Sequence, residues 1–117
     1  MSVTRPTPRR GEIWFADFDP VIGHEQGGQR PALVITTDRF NAGRSQLVGL
    51  LPLTTRDRGV LTQIRIEPPE AGILRPSVIL CDQLRILSHQ RLDRRVGQVS
   101  TRTLRAVEAV VRRILAL

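Results

Sequence analysis

The 117-residue chain contains no lysine and no tyrosine, one cysteine, three phenylalanines and one tryptophan. All 18 of its basic residues are arginine. The missing lysine excludes Schiff-base chemistry, a lysine nucleophile and a phosphate loop built around a lysine. The scarcity of aromatic side chains argues against a nucleic-acid surface dominated by base-stacking platforms. A lone cysteine, Cys81, closes no internal disulfide. It lies in the apolar run Val78-Ile79-Leu80-Cys81 and reads as a small core residue rather than a nucleophile. There is no CxxC pair, and His24 and His89 are too far apart in sequence to make a zinc site by themselves, so neither metal nor cofactor is expected. No run approaches the ~18 apolar residues of a membrane-spanning helix. Arg9-Arg10 is followed at once by Glu12, Asp17 and Asp19 rather than by the apolar stretch of an export signal, so a cytoplasmic protein without a membrane partner is expected.

What remains is a chain long enough for one domain with its own core. Hydrophobic residues make up 40% and charged residues 25%, as in a soluble globular protein. The net charge of +7 points to an anionic partner, nucleic acid or an acidic protein. Guanidinium forks bind phosphate oxygens two at a time. A merely solvated basic surface is the plainer alternative.

Along the chain, residues 1–10 read as a flexible arm and 11–117 as one domain. Strands are expected at Glu12 to Phe18, Ala32 to Thr37, Gln46 to Leu53, Leu61 to Ile66, Ser77 to Cys81 (continued by Asp82 to His89) and Arg94 to Val99. Pro52 marks an edge or a bulge, and Pro68-Pro69 ends the fourth strand. The one clear helix runs from Thr101 to Leu115 behind the N-cap Ser100, with Leu104, Val107, Val111, Ile114 and Leu115 on its apolar face. That face suits core packing better than nucleic-acid recognition. Five or six short strands and one helix predict a mainly β domain, a small, strongly bent antiparallel sheet or barrel.

The loop Gly23-His24-Glu25-Gln26-Gly27-Gly28-Gln29-Arg30-Pro31 is chemically crowded for a simple connection, although a hairpin turn rich in turn residues would use some of the same types. With Thr54, Asp82 and Gln83, the loop residues Arg30, Glu25 and His24 form a set able to transfer a phosphoryl group without a metal. RNA supplies its own nucleophile, the 2′-OH. The protein must position the backbone, move protons and stabilise charge on a phosphorane-like transition state.

These segments resemble the MazF/PemK family of toxin endoribonucleases. The resemblance begins at Arg10-Gly11-Glu12-Ile13-Trp14, continues through Asp17-Phe18-Asp19-Pro20, and is strongest at residues 23–31. It resumes at Pro52-Leu53-Thr54-Thr55 and at Val78-Ile79-Leu80-Cys81-Asp82-Gln83-Leu84-Arg85, and ends with Gln90-Arg91-Leu92 and the closing helix. It implies a MazF/CcdB-like SH3-like barrel of about five to seven strands that forms a homodimer. It also implies cleavage of single-stranded mRNA at a short sequence, and neutralisation by a cognate antitoxin whose acidic tail fills the RNA groove.

By the same resemblance Arg30 is the catalytic arginine, Thr54 the catalytic threonine and Glu25 the loop carboxylate. His24, Gln26, Gln83, Thr55 and Arg85 are the residues expected to contact RNA. A guanidinium with a pKa above ~12 is a poor base at neutral pH. Arg30 is therefore better read as a transition-state clamp, with proton transfer left to Glu25, His24 or water. Glu25 has a second reading, as the group that orients Arg30. Thr55 could replace Thr54 if the strand register slips by one, and Asp82 could simply cap a turn. Two rivals share the architecture: a toxin that poisons DNA gyrase without cutting RNA, and an SH3-like nucleic-acid-binding module.

Overall fold

Both faces of the central strands carry apolar side chains, and the fold buries both. The structure, a computed structural model, describes residues 6–117. Seven strands, β1 (Glu12–Asp17), β2 (Gln29–Val34), β3 (Leu47–Thr54), β4 (Gln63–Ile66), β5 (Ser77–Leu80), β6 (Arg85–Ser88) and β7 (Leu92–Gln98), form one antiparallel sheet. A short helix α1 (Asp38–Asn41) follows β2, and the helix α2 (Thr101–Leu115) closes the chain. The strand order is β4-β5-β3-β2-β1-β7, with β6 also paired to β3. The sheet bends as an open SH3-like barrel does rather than closing. Of the expected N-terminal arm, residues 1–5 lie outside the described residues. Pro8 is buried, and the Arg10 amide donates to Asp38 Oδ1 at 2.7 Å.

Successive residues alternate between two cores, as the twofold strand period requires. Ile13, Leu33, Leu51, Leu53 and Ile79 pack with Val107 and Val110 of α2. Trp14, Phe18, Ala32, Val34, Leu50 and Leu87 fill the opposite face. Breaks in the β1–β7 register, between Ile13 and Trp14 and between Phe15 and Ala16, are the bulges that bend the sheet.

Pro52 lies in an interior strand rather than at an edge. It pairs with Ala32 of β2, while on the other side of β3 the β6 partnership ends at Leu50 and that of β5 begins at Leu53. The missing N–H therefore costs no ladder bond. The expected continuation of the fifth strand through residues 82–89 does not occur. The chain turns at Cys81 and Asp82, closed by Gln83 N–H donating to Leu80 O at 3.1 Å, and Arg85–Ser88 becomes the separate strand β6.

Helix α2 spans the expected residues, and Ser100 Oγ accepts the Thr103 amide at 3.1 Å. Its buried stripe is Val107 and Val110, with Leu104 and Val111 packed alongside. Ile114 and Leu115, expected in the core, are about half exposed because the helix outruns the core by its last turn.

Glu12 is the one buried carboxylate in the described core, at 8% exposure. Its Oε1 accepts from the Arg9 amide at 2.7 Å and from Trp14 Nε1 at 3.0 Å, and its Oε2 from Arg95 Nε at 2.5 Å. Burial pushes the Glu12 carboxyl up, but the bonds from Trp14, the Arg9 backbone and Arg95 together hold it below its ordinary value. A carboxyl depressed in the folded state contributes stability above its unfolded pKa and loses it as pH falls through the folded one. Glu12→Gln is expected to cost about 1–3 kcal/mol at neutral pH, because one amide oxygen cannot serve all three donors. It should also flatten the acid side of the stability curve. Urea unfolding at a series of pH values checks both, and an unaltered acid slope would contradict the assignment.

Candidate active site

Arg30 belongs to β2, not to the loop before it, because the β1–β2 ladder begins at Asp17 opposite Gln29 and sets Arg30 opposite Ala16. Pairing with β3 starts only at Ala32. Arg30 and Pro31 therefore stand where β2 has one neighbour. The loop closes above them through the Phe18 amide, which donates to Gly28 O at 3.0 Å.

The Arg30 guanidinium is half-buried and tightly held. Nε donates to Gly27 O at 2.7 Å and Nη1 to Leu53 O at 3.1 Å. With the Gln26 amide turned to satisfy its neighbours, its oxygen accepts from Nη1 at 2.8 Å and Nη2 at 3.1 Å. A guanidinium has five N–H donors, so these four bonds leave one donor, on Nη2, for a ligand. A phosphate gripping both Nη atoms must displace the Gln26 amide. Burial pushes the Arg30 pKa down, and the Asp19 carboxylate opposes that shift.

Thr54 ends β3, and its Oγ1 accepts from the Arg56 amide at 3.2 Å, which leaves the hydroxyl proton free to turn outward. Two hollows meet at this residue. One, of about 600 Å³, is lined by Arg30, Thr54 and Thr55 together with Phe15, Arg75 and Arg94. The other, of about 400 Å³, is lined by Thr54 with His24, Gln26, Arg56, Asp82 and Gln83. Thr54 is thus the ridge between two hollows, with the Arg30 guanidinium beside it. A single-stranded polymer crossing this ridge would bring one phosphate to both residues.

The remaining expected residues divide by what holds them. His24, Gln26 and Gln83 line the smaller hollow, and Thr55 the larger. Gln83 also staples the loop: its Oε1 accepts from the Gln26 amide at 3.2 Å and its Nε2 donates to His24 O at 3.4 Å. Arg85 lines neither hollow. Its Nη1 donates to Phe18 O at 2.7 Å, and its guanidinium lies 5.8 Å from the Phe18 ring centroid. Glu25 is turned to Arg85 rather than to Arg30. Its Oε1 accepts from the Ile22 amide at 2.7 Å, and Oε2 is 3.9 Å from Arg85 Nε. The alternative in which Glu25 orients Arg30 is thereby replaced by Gln26, Gly27 and Leu53 in that role. Asp82 sits in the turn after β5 and lines the smaller hollow.

Two residues near Arg30, Asp19 and Arg94, have weaker sequence signals. Asp19 reads as a strand breaker before Pro20, yet its Oδ1 accepts from the Gly28 amide at 2.8 Å. Arg94 lies 5.1 Å from the Phe15 ring centroid, a cation–π pair on the wall of the larger hollow that only the β1–β7 register brings together. Among the described residues no group of three or more His, Cys, Asp or Glu side chains is placed to hold a metal ion, and no helix is long and apolar enough to cross a membrane.

Comparison with known proteins reaches almost the whole chain. A family model described as "PemK-like, MazF-like toxin of type II toxin-antitoxin system" matches residues 9–115. Endoribonuclease EndoA of Bacillus subtilis is 34% identical over 110 residues, covering 93% of this chain and 95% of that protein. The crystal structure of MazF from Deinococcus radiodurans superposes with a TM-score of 0.85 at 29% identity, over 97% of this chain and 100% of the other. A MazE-MazF crystal structure from the same organism gives 0.78 at 29% identity, over 97% and 99% of the two chains.

Proposed function

Since the chain belongs to the PemK-like, MazF-like toxin family of type II toxin–antitoxin systems, we propose that it is an endoribonuclease that cleaves single-stranded mRNA without a metal. The observation that carries this reading is the meeting of Arg30 and Thr54 in one groove, with Thr54 opening onto a second. In the reaction the 2′-oxygen attacks the adjacent phosphorus and loses its proton to a base. The bond from phosphorus to the 5′-oxygen breaks, and that oxygen takes up a proton. The products are a 2′,3′-cyclic phosphate and a 5′-hydroxyl. Arg30 and the Thr54 hydroxyl stabilise the charge that builds on the non-bridging oxygens. DNA lacks the 2′-OH and is not cut.

Glu25, His24 and water are the groups available for proton transfer, and His24 lies closer to the reaction path because it lines the smaller hollow while Glu25 does not. Gln26 and Gln83 present amides to the bases, and Thr55 meets the strand in the larger hollow. Arg85 serves the site by holding the Phe18 end of the loop. The net charge of +7 favours RNA and equally an acidic antitoxin segment competing for the same groove. The protein acts in the cytoplasm as a homodimer, held silent by its antitoxin until that partner is lost.

The test is incubation of purified protein with single-stranded RNA in EDTA. Cleavage leaving 2′,3′-cyclic phosphate ends is the expected result. Intact RNA across many sequences, with DNA gyrase inhibited instead, would overturn it in favour of a gyrase poison on the same fold.

A further inference from the structure

The Gly27–Gly28 peptide group lies between a carboxylate and the site's guanidinium. Its N–H donates to Asp19 Oδ1 at 2.8 Å, and its carbonyl, Gly27 O, accepts from Arg30 Nε at 2.7 Å. We propose that Asp19 is a positioning residue for Arg30, acting through this one peptide group. The proposal rests on the endoribonuclease reading and deepens it.

An amide hydrogen-bonded at both ends by charged groups is polarised by each, so the two bonds strengthen one another. The anchored Nε fixes the guanidinium plane, so both Nη atoms keep their place when a phosphate displaces the Gln26 amide from them. The arrangement is built into the backbone on both sides. Gly28 O accepts from the Phe18 amide at 3.0 Å, and Asp19 N–H donates to Asp17 Oδ1 at 2.9 Å. The Asp19 carbonyl accepts from Arg91 Nη1.

The glycines are needed for the close approach. A Cβ on Gly27 would lie 2.8 Å from Asp19 Oδ1 and 3.0 Å from Val21 Cγ1, and Gly28 has φ +79°. Asp19 lines neither hollow, so it acts on Arg30 and not on RNA. Its negative charge also opposes the loss of charge that burial favours at Arg30.

The experiment compares kcat and KM for Asp19→Ala, Asp19→Asn and Gly27→Ala, with Asp19→Ala repeated in an Arg30→Ala background at high enzyme concentration. Asp19→Ala and Gly27→Ala are expected to lower kcat on the order of a hundredfold, as misplacing a clamp by an ångström does, with KM little changed. Asn keeps an oxygen for the Gly28 amide but not the charge, so it should fall in between. Without Arg30 the Asp19 substitution should cost nothing further, since the two act as one unit. An equal loss in both backgrounds, or an unchanged kcat, would overturn the proposal.

The second readout needs no activity. The Arg30 Nε–H resonance should shift and exchange faster with solvent in Asp19→Asn, which also carries the test if Asp19→Ala does not fold. An unaltered resonance would refute the proposal. Failure of the wild type to cut RNA would defeat the endoribonuclease reading, while this resonance would still decide whether Asp19 holds Arg30.

Discussion

Arg30→Ala is expected to lower kcat for RNA cleavage about 10²–10³-fold, the loss of ~3–4 kcal/mol that follows removal of one preorganised donor to a developing oxyanion. The fold should survive. Arg30 is half-buried in a stretch of β2 that pairs only with β1, and its side chain belongs to neither core. Arg30→Lys should be nearly as inactive. An ammonium group cannot bond Gly27 O and Leu53 O while still offering a planar pair of donors to phosphate. Single-turnover cleavage of a fluorogenic RNA together with thermal unfolding checks both halves of the expectation. Wild-type turnover in Arg30→Ala would place the chemistry elsewhere.

The largest effect on stability is expected at Phe18, which is fully buried among Trp14, Val34, Leu50 and Leu87. Phe18→Ala should lower the unfolding free energy by ~3–5 kcal/mol, the usual cost of truncating a buried phenylalanine. The same substitution removes the ring that faces the Arg85 guanidinium at 5.8 Å, at the base of the site loop. The Phe18 backbone anchors that loop from both directions, its N–H donating to Gly28 O and its carbonyl accepting from Arg85. Phe18→Leu, which keeps most of the buried volume, should retain the larger part of the stability. Urea denaturation measures both. A loss within the ~0.5 kcal/mol typical of surface sites would show that the core closes without this ring.

Much of the architecture is legible because it is local. Ser100 followed by apolar residues at helical spacing places α2, whose cap and length depend on near neighbours. Alternation places the strands, and Pro68-Pro69 ends β4. The misreadings share a different origin. Pro52 stands in an interior strand because two other strands change places beside it, and Ile114 with Leu115 is exposed because the core ends before the helix does. Residues 85–88 form a strand of their own because β3 has a free edge to pair there.

The candidate site divides along the same line. Arg30, Thr54 and the glycine-rich loop stand out by residue type and order, because placing a charge, a hydroxyl and permissive backbone near a phosphate needs those types. Which carboxylate serves the arginine does not follow from type. Glu25, five residues before Arg30, pairs with Arg85, whereas Asp19, eleven residues before it, reaches the guanidinium through a peptide group. The sequence by itself determined the family, the closing helix and the reactive residue types, all matters of local pattern and composition. Only the tertiary structure decided the partners of each charged group, because hydrogen bonds are directional and short, and the loop's return onto β1 sets which atoms come within 3 Å.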